Sequence, residues 1–240
     1  ARRHRSSGTR SPLWFETFLA SFPTERTKLQ LAFLKRQLPL PRHAAVLDVC
    51  AGRGRIAGPL SLLGYRITAV DRNADCVQQG AERFPGIAFR ELDMRKLPTL
   101  GQRFDGIVCL WQSFGFFDAA TNRQVLQDMA GRLNPGGRII LDLYHRDYFA
   151  RRQGVESSTI AGARIDTERR MKGNRLEVRI DYGGGRTDDF SWELYAPRDA
   201  IELGVNCGLA AVLLAANFDE ATSPASDKAS FQLVLTNGKG

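Results

Sequence analysis

Val46-Leu47-Asp48-Val49-Cys50-Ala51-Gly52-Arg53-Gly54-Arg55 is a short apolar run that stops beside a carboxylate and turns on two glycines. A nearly continuous apolar stretch of this length suits a strand buried on both faces. The glycines let the backbone come close to a ligand with no Cβ in the way. Ile56–Leu63 then shows helical spacing and stops at Gly64, so the turn opens onto a helix N-terminus with free N–H groups. The stretch therefore predicts a strand–turn–helix unit that holds an anionic or polar ligand, a feature shared by dinucleotide-binding folds.

Downstream, the pattern repeats. Arg66–Val70 reads as a strand that ends at Asp71, and Ala74–Phe84 reads as a helix that stops before Pro85. Ile87–Leu92 is strand-like and ends at Asp93; Phe104–Leu110 is a strand delivering Trp111, Gln112 and Ser113. Ala119–Leu133 is a helix closed by Asn134-Pro135-Gly136-Gly137, and Arg138–Leu143 is the next strand. Alternating strands and helices predict a parallel sheet covered on both faces, with ligands at the strands' C-terminal ends.

On either side of this core the texture changes. Ser11–Leu38 predicts two short helices broken at Pro23-Thr24, with Trp14, Phe15 and Phe18 at helical spacing. Thr159–Met171, Arg175–Tyr182 and Asp188–Leu194 alternate polar and apolar residues, which predicts an antiparallel meander with one packed face. Pro197–Cys207 returns to helix, and Leu209–Leu214 and Ser230–Leu235 read as two final strands. The expected organisation is a basic disordered tail over 1–10, a helical lid over 11–41, a core over 42–156 and 197–240, and a β-meander insert over 157–196 beside the substrate pocket.

Composition narrows the function classes. Four of the eight surplus positive charges are Arg2, Arg3, Arg5 and Arg10, so the rest of the chain is only mildly basic, and no aromatic-interleaved basic stripe suggests nucleic acid. No apolar run is long enough for a membrane span, and the first ten residues do not read as a secretory signal. Cys50, Cys76, Cys109 and Cys207 fit neither metal-ligand nor disulfide spacing; they read as buried thiols in a cytoplasmic protein. A monomer or a homodimer is expected.

Taken together, Asp48-x-x-x-Gly52-x-Gly54, Asp71, Leu92-Asp93-Met94, Phe104-Asp105-Gly106-Ile107-Val108 and the run from Leu133 to Leu143 resemble the class I S-adenosylmethionine-dependent methyltransferases. Ser113–Phe117 and Leu143–Phe149 look like the subgroup acting on small molecules, including sugar amines and natural products. The resemblance implies a Rossmann-like, seven-stranded, mainly parallel sheet whose last strand is antiparallel. It also implies S-adenosyl-L-methionine as methyl donor, with S-adenosyl-L-homocysteine as product. Asp48, Ala51, Gly52 and Gly54 would line the methionine end with Leu110, Asp71 would hold the ribose, and Asp93 with Met94 the adenine. Arg72 either edges the adenine or is a solvated charge, and the lesser alternative for Asp93 is to cap the next helix. Cys50 replaces the first glycine of the family's turn, a change expected to be harmless at negative φ.

On the acceptor side, Trp111, Tyr144 and His145 are expected to face the transferred methyl, with His145 as general base or as a cap of the following helix. Trp14, Phe15, Gln112, Arg179, Trp192 and Tyr195 are the candidate substrate-binding residues. No metal is expected. A nicotinamide-dependent oxidoreductase and a nucleic-acid (tRNA or rRNA) methyltransferase are the rival readings.

Overall fold

The computed structural model describes residues 11–19 and 22–238; the expected basic tail over 1–10 lies outside them. Pro12–Trp14 (α1) runs into one π-helical turn, Phe15–Leu19, and Thr24–Gln37 forms α2. Then come β1 (Ala45–Val49), α3 (Ala57–Leu62), β2 (Arg66–Asp71), α4 (Ala74–Arg83), β3 (Ala88–Glu91) and a 3₁₀ segment over Met94–Leu100. β4 (Phe104–Cys109), α5 (Ala119–Gly131), β5 (Leu133–Tyr144) and α6 (Arg146–Ala150) complete the first half. The insert is β6 (Gly154–Ile160), β7 (Ala163–Lys172), β8 (Arg175–Asp181) and β9 (Thr187–Glu193); α7 (Pro197–Asn206), β10 (Ala210–Ala215) and β11 (Ser230–Thr236) follow.

The main sheet has the strand order β10-β11-β5-β4-β1-β2-β3. β1 to β5 pair in parallel, and β11 runs antiparallel to both β5 and β10, as expected of the last strand. Period-two alternation sorts each strand between two cores. Leu47 and Val49 of β1, Ile107 and Cys109 of β4, and Ile139, Leu141 and Leu143 of β5 pack under α5, α7 and the 3₁₀ segment. Val46, Val108 and Ile140 pack against α2 and α3 through Phe33, Leu34, Leu38 and Leu60. Asp48, Asp142 and Gln232 share this second face by parity, and all three are buried. Each fully buried Leu or Ile contributes roughly 1.5–3 kcal/mol, so two cores made from one set of strands make the strand ends a rigid platform.

Two elements differ from the sequence expectation. The run Thr159–Met171 is two strands, turned at Ala161 and Gly162 with φ of 51° and 80°. Ile160 pairs with Ala163 across that two-residue loop, and the sheet begins at Gly154, before the expected boundary. Type I′ loops need positive φ at both positions, normally announced by Asn-Gly or Asp-Gly; an alanine in the first place hides the turn. β5 begins at Leu133, so Asn134–Gly137 lies within its span, with a register shift against β4 and Gly136 at φ 73°.

Candidate functional site

At the end of β1 the chain makes a left-handed turn. Cys50 has φ 61°, so the negative φ on which a harmless cysteine depended is not met. A non-glycine residue there stores about 1–3 kcal/mol of strain, and such strain is tolerated where surrounding contacts over-determine the backbone. Ala51 N–H donates to Val70 O at 3.0 Å, and Gly52 N–H donates to Asp71 Oδ2 at 2.8 Å, tying the turn to the tip of β2. The two glycines do different work. At Gly52 (φ 55°) a Cβ would meet only the Phe15 ring at 3.9 Å, so its backbone borders the cleft. At Gly54 (φ 81°) a Cβ would lie 2.7 Å from Phe89 and 3.2 Å from Phe84. Gly54 therefore seats the turn on β3 and α4 and does not line the cleft, contrary to the expected methionine-end role.

Asp48 lies on the wall of this part of the cleft, with Ala51, Gly52, Leu110 and Trp111. Its carboxyl is 4% exposed and Oδ2 has no hydrogen-bond partner. Burial pushes its pKa up to about 7, against the pull of Arg55 and with a further push from Asp71. A carboxylate left short of partners on a cleft wall suits an incoming cation. Because the folded pKa is raised above the unfolded value of about 3.9, the folded chain holds a proton that the unfolded chain has lost. That contribution is present at low pH and disappears as pH rises to 7. We expect Asp48→Asn to gain roughly 3–4 kcal/mol relative to wild type between pH 4 and pH 8, read by urea unfolding at both pH values.

Asp71 ends β2 with Oδ2 bonded to Gly52 N and Oδ1 accepting from Asn73 N at 2.9 Å. With Arg72, Asp93 and Met94 it lines the next part of the cleft, walled by Phe116 and Phe117. Asp93 caps the 3₁₀ segment through Arg95 N at 2.9 Å and grips the Arg95 guanidinium with both oxygens, at 3.0 and 2.6 Å. The Arg95 partner holds the Asp93 carboxyl below its ordinary range. Phe15 borders both parts of the cleft. Its ring lies under the Arg53 guanidinium at 5.0 Å, and neighbouring Trp14 packs on Trp111 at 4.9 Å. Ser11 Oγ donates to Asp188 Oδ2 at 2.6 Å, an oxygen that also accepts from Tyr182 OH at 2.8 Å, so α1 is tied to the insert.

The acceptor-side expectations fare unevenly. Trp111 and Gln112 follow β4 with φ of 54° and 51°, and Trp111 N–H donates to the buried Asp142 at 3.1 Å. The Trp111 ring sits among Trp14, Phe22 at 4.8 Å and the Arg55 guanidinium at 5.7 Å. Gln112 is 1% exposed: its amide donates to Phe114 O at 3.0 Å and its Oε1 accepts from Tyr144 N. It bridges the ends of β4 and β5, so the substrate role expected for it gives way to a structural one. The Tyr144 ring packs between Phe149 and Trp192, at 4.9 and 6.0 Å.

His145 is 4% exposed, caps α6 by accepting from Asp147 N at 3.2 Å, and packs on Phe231. Burial lowers its pKa, partly offset by Asp147. The cap that the sequence left open is thus what the structure forms, and His145 lies on none of the cleft walls described here. Trp192 is buried beside Phe116 and Phe190. Tyr195 joins the insert to the core, bridging His145 and accepting from Arg146 N, with burial pushing its hydroxyl to about 12. Arg179 lines a larger cleft and pairs with Asp189. Sequence reasoning missed Arg53, Arg55, Asp142 and the Ser11–Asp188 tie, since no local pattern marks a partner distant along the chain.

Comparison with known proteins adds a second line of support. Residues 46–137 match the methyltransferase domain family. A demethylmenaquinone methyltransferase of Paenarthrobacter aurescens (strain TC1) is 31% identical over 96 residues; the match spans 40% of this chain and only 37% of that relative's length. Among solved structures, an S-adenosylmethionine-dependent methyltransferase from Clostridium acetobutylicum ATCC 824 superposes with a TM-score of 0.79 at 13% identity, covering 95% of this chain and 97% of that one. The S-adenosylmethionine-bound amino pentose methyltransferase CalS10 of Micromonospora echinaspora gives 0.74 at 16% identity, covering 96% and 98%. Residues 46–137 thus match the methyltransferase domain family, and the chain shares its fold with S-adenosylmethionine-dependent methyltransferases of solved structure.

Proposed function

We propose that the chain transfers a methyl group from S-adenosylmethionine to a nucleophilic atom of a small molecule. One observation carries the reading: at the ends of three adjacent strands, Asp71 and Asp93 border one cavity and Asp48 and Gly52 border a second, and the two adjoin at Phe15 and Cys50. When bound, S-adenosylmethionine supplies a methyl already activated on a sulfonium. The chain's own task is orientation and exclusion of water. Asp71, preset by Gly52 N–H and Asn73 N–H, keeps lone pairs for two ribose hydroxyls. Asp93 and Met94 border the adenine end, and the unpartnered Oδ2 of Asp48 takes the methionine ammonium. Trp111 covers the sulfur end, where an aromatic face stabilises positive charge.

The acceptor atom we favour is an amine nitrogen. A neutral amine needs no base to attack, which agrees with His145 being engaged as a helix cap. The amino pentose named for the structural relative CalS10 is an acceptor of that kind. Thermal shift with S-adenosylhomocysteine and with NAD tests the reading. Stabilisation by S-adenosylhomocysteine alone supports it, and stabilisation by NAD alone refutes it.

Phe15 splits the cleft into two parts of about 50 Å³ each, whereas ligand clefts run to about 300–1,000 Å³. Cofactor entry therefore requires the α1 segment to withdraw. Phe15→Ala is expected to speed S-adenosylhomocysteine association by about tenfold, roughly the factor that 1.4 kcal/mol of lost contact supplies. Stopped-flow fluorescence would read it; an unchanged association rate removes Phe15 as the obstacle.

A further inference from the structure

Trp111 and Gln112, just past β4, stand in succession at φ 54° and 51°. A Cβ disfavours that region, and two such residues in a row persist only where contacts over-determine the backbone. Asp142 of β5 makes two of those contacts. Its backbone carbonyl accepts from Gln112 N–H at 3.1 Å, and its Oδ2 accepts from Trp111 N–H at 3.1 Å. The Gln112 side chain makes another by accepting from Tyr144 N–H.

Burying a carboxylate is costly unless its lone pairs meet donors. Asp142 lies opposite Gln232 in the register of β5 and β11, and Gln232 Nε2 donates to Asp142 Oδ1 at 2.7 Å. Gln232 is fully buried and is itself fixed, because its Oε1 accepts from Phe218 N–H at 2.8 Å. The relay runs sideways through the sheet, from the loop at Phe218 through β11 and β5 to the tip of β4. These strands already pair through their backbones, so the sheet does not depend on the relay. What the relay adds is a fixed Trp111. Trp111 lines the methionine part of the cleft with Leu110 and Ser113, whereas Asp142 lies on none of the cleft walls.

We propose that Asp142 is a positioning residue for methyl transfer: it acts through Trp111 N–H, holding the tip of β4 so that the indole stays at the sulfur end of the cofactor. The proposal rests on the methyl-transfer reading and on the place that reading gives Trp111. An aromatic face favours a cationic sulfonium over a neutral thioether. A displaced Trp111 is therefore felt by S-adenosylmethionine more than by S-adenosylhomocysteine.

Calorimetric titration of the whole chain with each of these two ligands, in the absence of any acceptor, reads the ratio of their affinities. Asp142→Asn keeps the shape of the side chain but puts a donor in place of one acceptor oxygen, so either Trp111 N–H or Gln232 Nε2 faces another N–H. The affinity ratio of S-adenosylmethionine to S-adenosylhomocysteine is expected to fall about tenfold, and Trp111→Leu to lower it as much. Combining the two is expected to lower it no further, because one acts through the other. Exchanging the pair, Asp142→Asn with Gln232→Glu, gives Trp111 N–H and Phe218 N–H an acceptor each and is expected to restore the wild-type ratio. A merely structural Asp142 would weaken both ligands alike. An unchanged ratio in Asp142→Asn, a ratio unmoved by Trp111→Leu, additive losses in the double variant, or no recovery in the exchanged pair would each overturn the proposal. If Asp142→Asn fails to fold, the exchanged pair carries the test: with the wild-type ratio it supports the proposal, and with a lowered ratio it overturns it. Failure of the wild type to bind either ligand removes the methyl-transfer reading beneath. Binding of both, with a ratio indifferent to Asp142, sinks this proposal alone.

Discussion

Asp71→Ala is expected to weaken S-adenosylhomocysteine binding by roughly 10²–10³-fold, while the protein stays folded. The carboxylate has both oxygens anchored by backbone N–H groups, Gly52 to Oδ2 and Asn73 to Oδ1, so no rotamer search precedes binding. Two charge-assisted hydrogen bonds to the ribose diol at about 1.5–3 kcal/mol each would supply that factor. The alanine also releases the glycine turn from the tip of β2, and part of the loss comes from there. Asp71→Asn separates the two effects, since its single carbonyl oxygen can keep only one backbone contact and carries no charge. Isothermal calorimetry that finds Asp71→Ala within threefold of wild type would remove Asp71 from the cofactor site and leave the convergence of carboxylates without a purpose.

Gly54→Val should cost about 3–5 kcal/mol of stability, a melting decrease of roughly 6–20 °C for a chain of this size. Two costs combine. At φ 81° a branched side chain is strained, and its Cβ would sit 2.7 Å from Phe89 and 3.2 Å from Phe84. Both rings are half-buried against the core beneath α4 and β3, so making room means turning them outward and losing those contacts. Gly52→Ala is the contrasting case. Its Cβ meets only Phe15 at 3.9 Å, so its cost is strain alone, and its larger effect is on cofactor affinity because the methyl projects into the cleft. Differential scanning calorimetry with both variants reads the difference; equal melting losses would show that the two glycines share one role.

Those glycines show how far the chain can be read without coordinates. The D-x-x-x-G-x-G pattern marks both, yet only the contacts distinguish the one bordering the cleft from the one seated on Phe84 and Phe89. His145 and Gln112 make the same point. An imidazole and an amide just past strand ends look like chemistry in sequence. In the fold each satisfies neighbouring backbone, His145 capping α6 and Gln112 joining β4 to β5. Buried polar groups need partners, and a partner close by in space takes the group before a ligand can.

The sequence by itself determined the sheet and the positions of Asp48, Asp71 and Asp93 at its edge. Alternation of apolar residues and the turns between them act over a few residues, and parallel strands joined through helices bring their C-terminal ends to one side. Tertiary structure alone decided that Phe15 would stand between the two parts of the cleft, that Ser11 would be tied to Asp188 far along the chain, and that Arg95 and Arg175 would meet at the Phe116–Phe117 loop. Each of these depends on segments brought together by packing, and no local spacing records which distant side chain will be there.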